Sequence, residues 1–166
     1  MIVSSSAAIL DRDLGALERE VQAYPDERSL WTPVPGIPNV AGTLVLHLAG
    51  NLQHYIGATL GGTGYVRDRP AEFSRRNVPR AELLREIQAA RAAVSATLSI
   101  PGAPNPDAEF PETVGGGKVR TGDYLVHLAT HLAYHLGQID YHRRMVTGQD
   151  KGIDAVRPAD LSSLRA

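Results

Sequence analysis

Residues 121–147 read TGDYLVHLATHLAYHLGQIDYHRRMVT. Leucines and one isoleucine recur in this stretch at spacings of three and four residues, which predicts one apolar stripe along a helix. Thr121 is placed to cap this helix, Asp123 favours its first turn, and Gly148 is a natural C-terminal stop. The sequence therefore predicts a long helix from Thr121 to about Val146 or Thr147.

Three further helical patterns precede this stretch. The first runs from about Ala7 to Ala23, and the second from near Asn39, a good N-cap, to about Leu60. The second is nearly apolar around its circumference, which is typical of a central helix in a bundle. The third begins at Pro79 and runs to about Leu98. In the first helix we assign the face opposite the apolar stripe to a charged set: Asp11, Asp13, Glu18, Arg19 and Glu20.

Four helices with long connections predict an all-α fold, a four-helix bundle, as one domain over residues 1–148. Residues 31–38 and 101–111 are rich in proline and predict non-helical connections. Residues 110–119 would form a small β-hairpin around Gly115-Gly116-Gly117. Residues 149–166 are a polar tail that we expect to lie on the surface or to pack on a partner.

Charge and composition exclude several classes of function. The net charge is -1, from 17 basic and 18 acidic residues, so we expect no nucleic-acid partner. We interpret the arginine-rich segments 67–76 and 142–144 as solvated faces. No signal peptide and no apolar run long enough to cross a membrane is present, so we expect no membrane partner and a cytoplasmic location.

The chain contains no cysteine, so disulfides, thiolate ligands and a cysteine nucleophile are excluded. Any thiol chemistry must use a thiol that a small molecule brings. The chain does contain six histidines, all in the second and fourth predicted helices: His47, His54, His127, His131, His135 and His142.

The spacing of these histidines predicts a metal site. His131 and His135 are four residues apart on a helix, so their imidazoles lie on one face and can bind the same ion. The third ligand must come from another helix, where His47 lies among apolar residues. Three neutral histidines suit zinc, nickel or another late first-row ion and leave a coordination position open.

Spacing alone does not decide which three histidines bind the ion. His127 lies one turn before His131 and is the strongest alternative ligand. His54 is two turns beyond His47, and His142 is two turns beyond His135. We interpret these three as core or interface residues, or as residues that support the ligands.

Two motifs resemble those of the DinB-like superfamily, which includes YfiT-type proteins. These motifs are His47-Leu-Ala-Gly-Asn51 and His131-Leu-Ala-Tyr-His135-Leu-Gly-Gln138-Ile139. The resemblance covers about residues 7–147 and implies a four-helix bundle of up-down-down-up topology, often dimeric. It also implies that His47, His131 and His135 bind one divalent ion, nickel or zinc.

The same resemblance implies a class of chemistry. Characterised branches of the superfamily include bacillithiol S-transferases and the mycothiol-dependent maleylpyruvate isomerase. We therefore expect a metal-dependent enzyme that uses a low-molecular-weight thiol as cosubstrate on a small-molecule electrophile. Asn51 and Gln138 are candidates for supporting roles, although a buried hydrogen bond between helices is the simpler interpretation of Gln138.

Two alternatives to this activity stay open. A non-catalytic, metal-binding homodimer would use the same histidines. A metal-dependent hydrolase is also compatible with them, but it normally needs a carboxylate as general base, and the sequence places none near the three histidines.

Overall fold

The computed structural model describes residues 1–161. These residues form five α-helices: α1 (Ile2–Ala23), α2 (Ala41–Leu52), α3 (Arg69–Ser74), α4 (Arg80–Leu98) and α5 (Thr121–Thr147). Helix α2 continues without a break into a π-helical segment, Gln53–Ala58. The four long helices enclose one apolar core, dominated by leucine and alanine, and the predicted all-α bundle is confirmed.

Contacts along α1 give the directions of two neighbouring helices. Its C-terminal end meets the start of α4, where the Arg80 side chain donates to the Tyr24 carbonyl, so α1 and α4 are antiparallel. Its N-terminal end packs near Gly122 at the start of α5, and Glu20 near its other end pairs with Arg143. Helices α1 and α5 are therefore parallel.

Helix α2 packs on the same two neighbours from the opposite side of the bundle. Going along the chain from Gln53 to Gly57, the contacts in α4 move from Glu86 to Ala93, so α2 and α4 are parallel. In contrast, His47 meets His131 of α5, and the later Tyr55 meets the earlier Tyr124. Helices α2 and α5 are therefore antiparallel, which makes the topology of the four long helices up-down-down-up.

The predicted helix starts need four corrections. Helix α4 begins at Arg80, with Pro79 in the N-cap position. Helix α1 begins at Ile2, five residues before Ala7, because the serine-rich start continues the helix. Helix α2 begins at Ala41 with Val40 in the N-cap position, so Asn39 does not cap it. Arg120, and not Thr121, occupies the N-cap position of α5. The predicted stop at Gly148 is correct, since its φ of 70° lies in the left-handed region that favours glycine.

The charged segment of residues 67–76 contains a short helix that the sequence analysis did not predict. This helix is α3, and Asp68 caps it by accepting a hydrogen bond from the Ala71 amide at 3.0 Å. Pro70 lies in its first turn, where a missing N–H costs nothing. Helix α3 packs against α2 and so brings a carboxylate to the centre of the bundle.

The interpretation of the charged segments as solvated faces is wrong at several positions. Arg143 and Glu20 are both fully buried and form an ion pair at 2.6 Å between α5 and α1. Asp13 is also fully buried, and Arg67 is nearly so. These residues alternate with exposed charges along the chain, so local composition did not reveal them.

The connections and the tail pack on the bundle. The hairpin expected over residues 110–119 is reduced to two isolated antiparallel bridges, Glu109 with Arg120 and Val114 with Gly117. The start of the tail is held by Arg143, whose guanidinium donates to the Lys151 carbonyl at 3.3 Å. Residues 162–166 of the tail lie outside the described residues. No helix in the described part of the chain combines the length and apolar character needed to cross a bilayer.

Candidate metal centre

Three histidines from two helices meet inside the bundle. Each of His47, His131 and His135 offers one ring nitrogen, and these three atoms lie within 4.8 Å of one another. His47 comes from α2 and is buried, whereas His131 and His135 come from α5 and are half-buried. The structure therefore brings together the three residues that the sequence predicts as ligands.

One pair of nitrogens in this cluster has the spacing of two ligands on a tetrahedral ion. His47 Nε2 and His131 Nε2 lie 3.3 Å apart. Two nitrogens that each lie 2.0–2.1 Å from a tetrahedral ion are about 3.3–3.4 Å from each other. The ring of His135 is nearly perpendicular to those of His47 and His131, with centroids at 5.5 Å and 4.6 Å. The three imidazoles therefore meet edge to face and do not stack.

His47 is fixed by a carboxylate that the sequence analysis missed. Its Nδ1 donates to Glu72 Oε2 of α3 at 3.0 Å, which leaves Nε2 free to bind an ion. Arg67 donates to both oxygens of Glu72, at 2.6 Å and 2.9 Å. Burial raises the pKa of Glu72, but the hydrogen bonds from His47 and Arg67 outweigh burial and hold this pKa below its usual value. Glu72 is therefore ionised and orients the His47 ring.

This arrangement depends on a glycine in the neighbouring turn of α2. A Cβ atom on Gly50 would overlap the Glu72 carboxylate, so any larger residue would displace Glu72. Two signals in the sequence point to this arrangement. Asp68 and Pro70 form a helix-start signature, and Gly50 is a glycine within the apolar pattern of α2. Neither signal identifies the partner of Glu72, because that contact spans 25 residues.

His135 is fixed in a similar way from within its own helix. Its Nδ1 donates to Gln138 Oε1 at 2.6 Å, which leaves Nε2 free for an ion. Gln138 is exposed, so the expected buried hydrogen bond between helices is not what the structure shows. This side chain instead orients one histidine of the cluster.

Burial keeps the α5 histidines of the cluster neutral. Burial, together with the smaller effect of positive charge on His135 and His47, lowers the pKa of His131 to about 4. Burial also lowers the pKa of His135, although the hydrogen bond to Gln138 opposes this effect. Neutral imidazole is the form that binds a metal, so the cluster is prepared for a cation at ordinary pH.

The other three histidines lie outside the cluster. His127 is exposed and stacks between Tyr124 and His131, with centroids at 5.5 Å and 6.0 Å. His54 pairs with Glu112 at 3.2 Å. His142 is buried, accepts from the Tyr24 hydroxyl at 2.8 Å and donates to the Thr32 carbonyl at 2.9 Å. His127 is thus the closest of the three to the cluster, and His142 is a core residue.

Asn51 lies one turn after His47 on α2 and is buried. Its Oδ1 has no hydrogen-bond partner among residues 1–161. A buried amide oxygen without a partner costs free energy, but this atom is inaccessible to solvent, so the supporting role expected for Asn51 stays a prediction. The structure does not give it any other role.

Together the fold and the cluster define a helical bundle whose core presents three histidines, the donor set of an open metal site. The sequence model of the DinB superfamily matches residues 9–139 of the chain. The chain therefore belongs to the DinB superfamily, as the two histidine motifs predicted. No curated protein and no solved structure matches the chain.

Proposed function

We propose that this chain is a metal-dependent enzyme that joins a low-molecular-weight thiol to a small electrophile at the three-histidine site. The observation that best supports this proposal is the difference in burial among the three histidines. His47 is buried behind the cluster, whereas His131 and His135 are half-buried. The ligand set thus covers one side of an ion and leaves the other side accessible to small molecules.

Each part of the site has a distinct role in this proposal. His47, His131 and His135 bind one divalent ion, nickel or zinc. When bound, this ion supplies Lewis acidity that lowers the pKa of a thiol. Glu72 and Gln138 hold two of the ligand rings in position. Because the chain has no cysteine, the thiol has to come from a cosubstrate.

A hydrolase is less compatible with the contacts of the site. Both oxygens of Glu72 accept hydrogen bonds from Arg67, and one also accepts from His47. A carboxylate held in this way, with its pKa lowered, is a poor general base. Glu112 is bound to His54 and Thr59 and so is also engaged elsewhere.

A non-catalytic metal-binding protein is the main alternative, and the homodimer expected from the family belongs to either proposal. Half-buried ligands favour the enzyme, because a purely structural ion is normally enclosed by four protein ligands. Sedimentation of the purified protein with and without metal would test the dimer separately from activity.

The activity is tested by thiol consumption. The zinc- or nickel-loaded protein is mixed with 1-chloro-2,4-dinitrobenzene and one thiol at a time: glutathione, bacillithiol, mycothiol or coenzyme A. In this reaction the thiol sulfur bonds to the ring carbon, the carbon–chlorine bond breaks, chloride leaves, and the thiol proton goes to solvent. We expect turnover with at least one thiol, and loss of turnover in His131→Ala but not in His127→Ala.

The same assay also defines the result that would contradict the proposed activity. If none of these thiols is consumed faster than in the absence of protein, while the protein holds one ion per chain, then the site binds metal without this chemistry.

A further inference from the structure

A pocket of about 400 Å³ opens between α5 and the loop of residues 36–39. His135 and Gln138 form part of its wall, so the pocket touches one of the three clustered histidines and the side chain that orients it. Its volume suits one small molecule. A molecule in this pocket would therefore lie beside His135.

The wall of this pocket carries no formal charge. None of its ten lining residues is Asp, Glu, Lys or Arg, in a chain in which 21% of residues are charged. Four large, mainly apolar side chains on the wall are exposed: Ile37, Tyr134, Tyr141 and Met145. Exposed apolar surface gathered around a pocket is typical of a ligand site.

The same wall offers a specific polar contact. Because Gln138 Oε1 accepts a hydrogen bond from His135, the amide group of Gln138 is held in one orientation. Its Nε2 makes no hydrogen bond within residues 1–161 and remains a donor at the pocket wall. An oxygen atom of a ligand can accept from this nitrogen.

We propose that this pocket binds the electrophilic substrate, and that this substrate is a small uncharged molecule with an apolar body and a hydrogen-bond-accepting oxygen. This inference rests on the proposed function, because a molecule bound in this pocket is a substrate only if the site that contains His135 is catalytic. It goes further by predicting that the pocket prefers a neutral molecule to a cationic one. Moving a charge next to apolar side chains without a partner costs free energy, so a charged molecule should bind this pocket more weakly.

Two probes that differ by one charge test the proposal. Acetanilide has a phenyl ring and an amide oxygen, and 4-(aminomethyl)acetanilide adds a protonated amine that does not bind a metal ion. Their dissociation constants are measured by ligand-observed NMR on zinc-loaded protein, without any thiol. We expect acetanilide to bind at least about tenfold more tightly than the cationic probe.

Two matched variants locate the binding. Met145→Glu places a carboxylate in the pocket, where the wild-type side chain is 49% exposed. Val126→Glu makes the same change on the same helix at a position that is 42% exposed and outside the pocket. Met145→Glu should weaken acetanilide binding and strengthen binding of the cationic probe, which reverses the preference. Val126→Glu should leave both dissociation constants within about twofold of wild type.

Three results would overturn the pocket assignment: equal binding of the two probes, no binding of acetanilide, or equal effects of the two variants. Neither probe carries a thiol or a leaving group, so these results are separate from the turnover assay. Selective binding without thiol consumption would remove the proposed activity and keep the pocket. Thiol consumption without selective binding would keep the proposed activity and remove the pocket assignment. Zinc content and circular dichroism of each variant establish that the fold and the cluster are intact.

Discussion

Glu72 Oε2 lies 3.0 Å from His47 Nδ1, and this contact joins α3 to α2, the helix that carries the buried histidine. The carboxylate fixes which nitrogen of His47 holds the proton, so the other nitrogen faces His131. Arg67 completes the set by binding both oxygens of Glu72. The site therefore consists of three histidines and a buried ion pair that aligns one of them.

Replacement of Glu72 tests this alignment. Glu72→Gln removes the charge that holds His47, and we expect metal affinity to fall by about 10–100-fold. The measurement is competition for zinc with a chromophoric chelator. Glu82→Gln is the matched control, because Glu82 pairs with Arg75 at the surface, away from the cluster. Equal affinities in the two variants would mean that Glu72 does not act on the metal site.

A pair of glycine substitutions tests the steric side of the same contact. Gly50→Ala should displace Glu72 and lower metal affinity at least about tenfold, since the new Cβ would overlap the carboxylate. Gly137→Ala is the control on α5, where an added Cβ meets nothing within 4 Å. We expect Gly137→Ala to keep metal affinity and to raise the free energy of unfolding by up to about 1 kcal/mol through helix propensity. If Gly50→Ala retains full affinity, then Glu72 tolerates displacement.

The buried pair of Arg143 and Glu20 should dominate the stability of the contact between α1 and α5. Arg143→Met leaves the Glu20 carboxylate buried without a partner, which costs about 3–5 kcal/mol of unfolding free energy. The double variant Glu20→Leu with Arg143→Met removes both charges and should recover more than half of this loss. Urea unfolding, monitored by circular dichroism, measures the free energy of unfolding of the single and the double variant. A double variant as unstable as the single one would show that the lost contacts to the tail, and not the unpaired charge, set the cost.

His142 should make the metal-free protein less stable in acid. Burial lowers the pKa of His142, against the opposing effect of its hydrogen bond to Thr32, so the folded state resists protonation. The unfolded chain binds this proton near pH 6.5, and stability contributed by His142 is therefore full above about pH 6.5 and declines below it. The decline cannot exceed about 1.4 kcal/mol per pH unit for one proton.

The variant His142→Gln isolates this effect, because both proteins retain the other five histidines. Urea unfolding at pH 8, 7, 6 and 5 gives the free energy of unfolding as a function of pH for metal-free wild type and for His142→Gln. We expect the free energy of unfolding to fall less steeply below pH 6.5 in the variant than in wild type. Identical slopes in both proteins would assign the acid sensitivity to other groups.

The sequence predicted the fold well because the determining signals are local. The apolar spacing in α5 and the glycine after it define the helix and its end. The two histidine motifs predicted the superfamily, and the spacing of His131 and His135 follows directly from the helical repeat. Helix starts were less accurate, since Asn39 and Thr121 are good caps at positions where the chain does not use them.

The supporting groups of the site were not predictable in the same way. Glu72 is one of many acidic residues in a charged segment, and only the packing of α3 on α2 turns it toward His47. Arg143 lies among surface charges in the sequence, but its partner Glu20 is 123 residues away. Pairing across such separations follows from tertiary packing, which local patterns do not encode.

The central claim is that His47, His131 and His135 bind one metal ion, and metal content per chain tests it most directly. The measurement uses elemental analysis of protein purified without a histidine tag, for wild type, His135→Ala and His127→Ala. We predict about one nickel or zinc per chain in wild type and in His127→Ala, and a strong loss in His135→Ala. Wild type without metal after soaking, or metal that His127→Ala loses and His135→Ala keeps, would contradict the account.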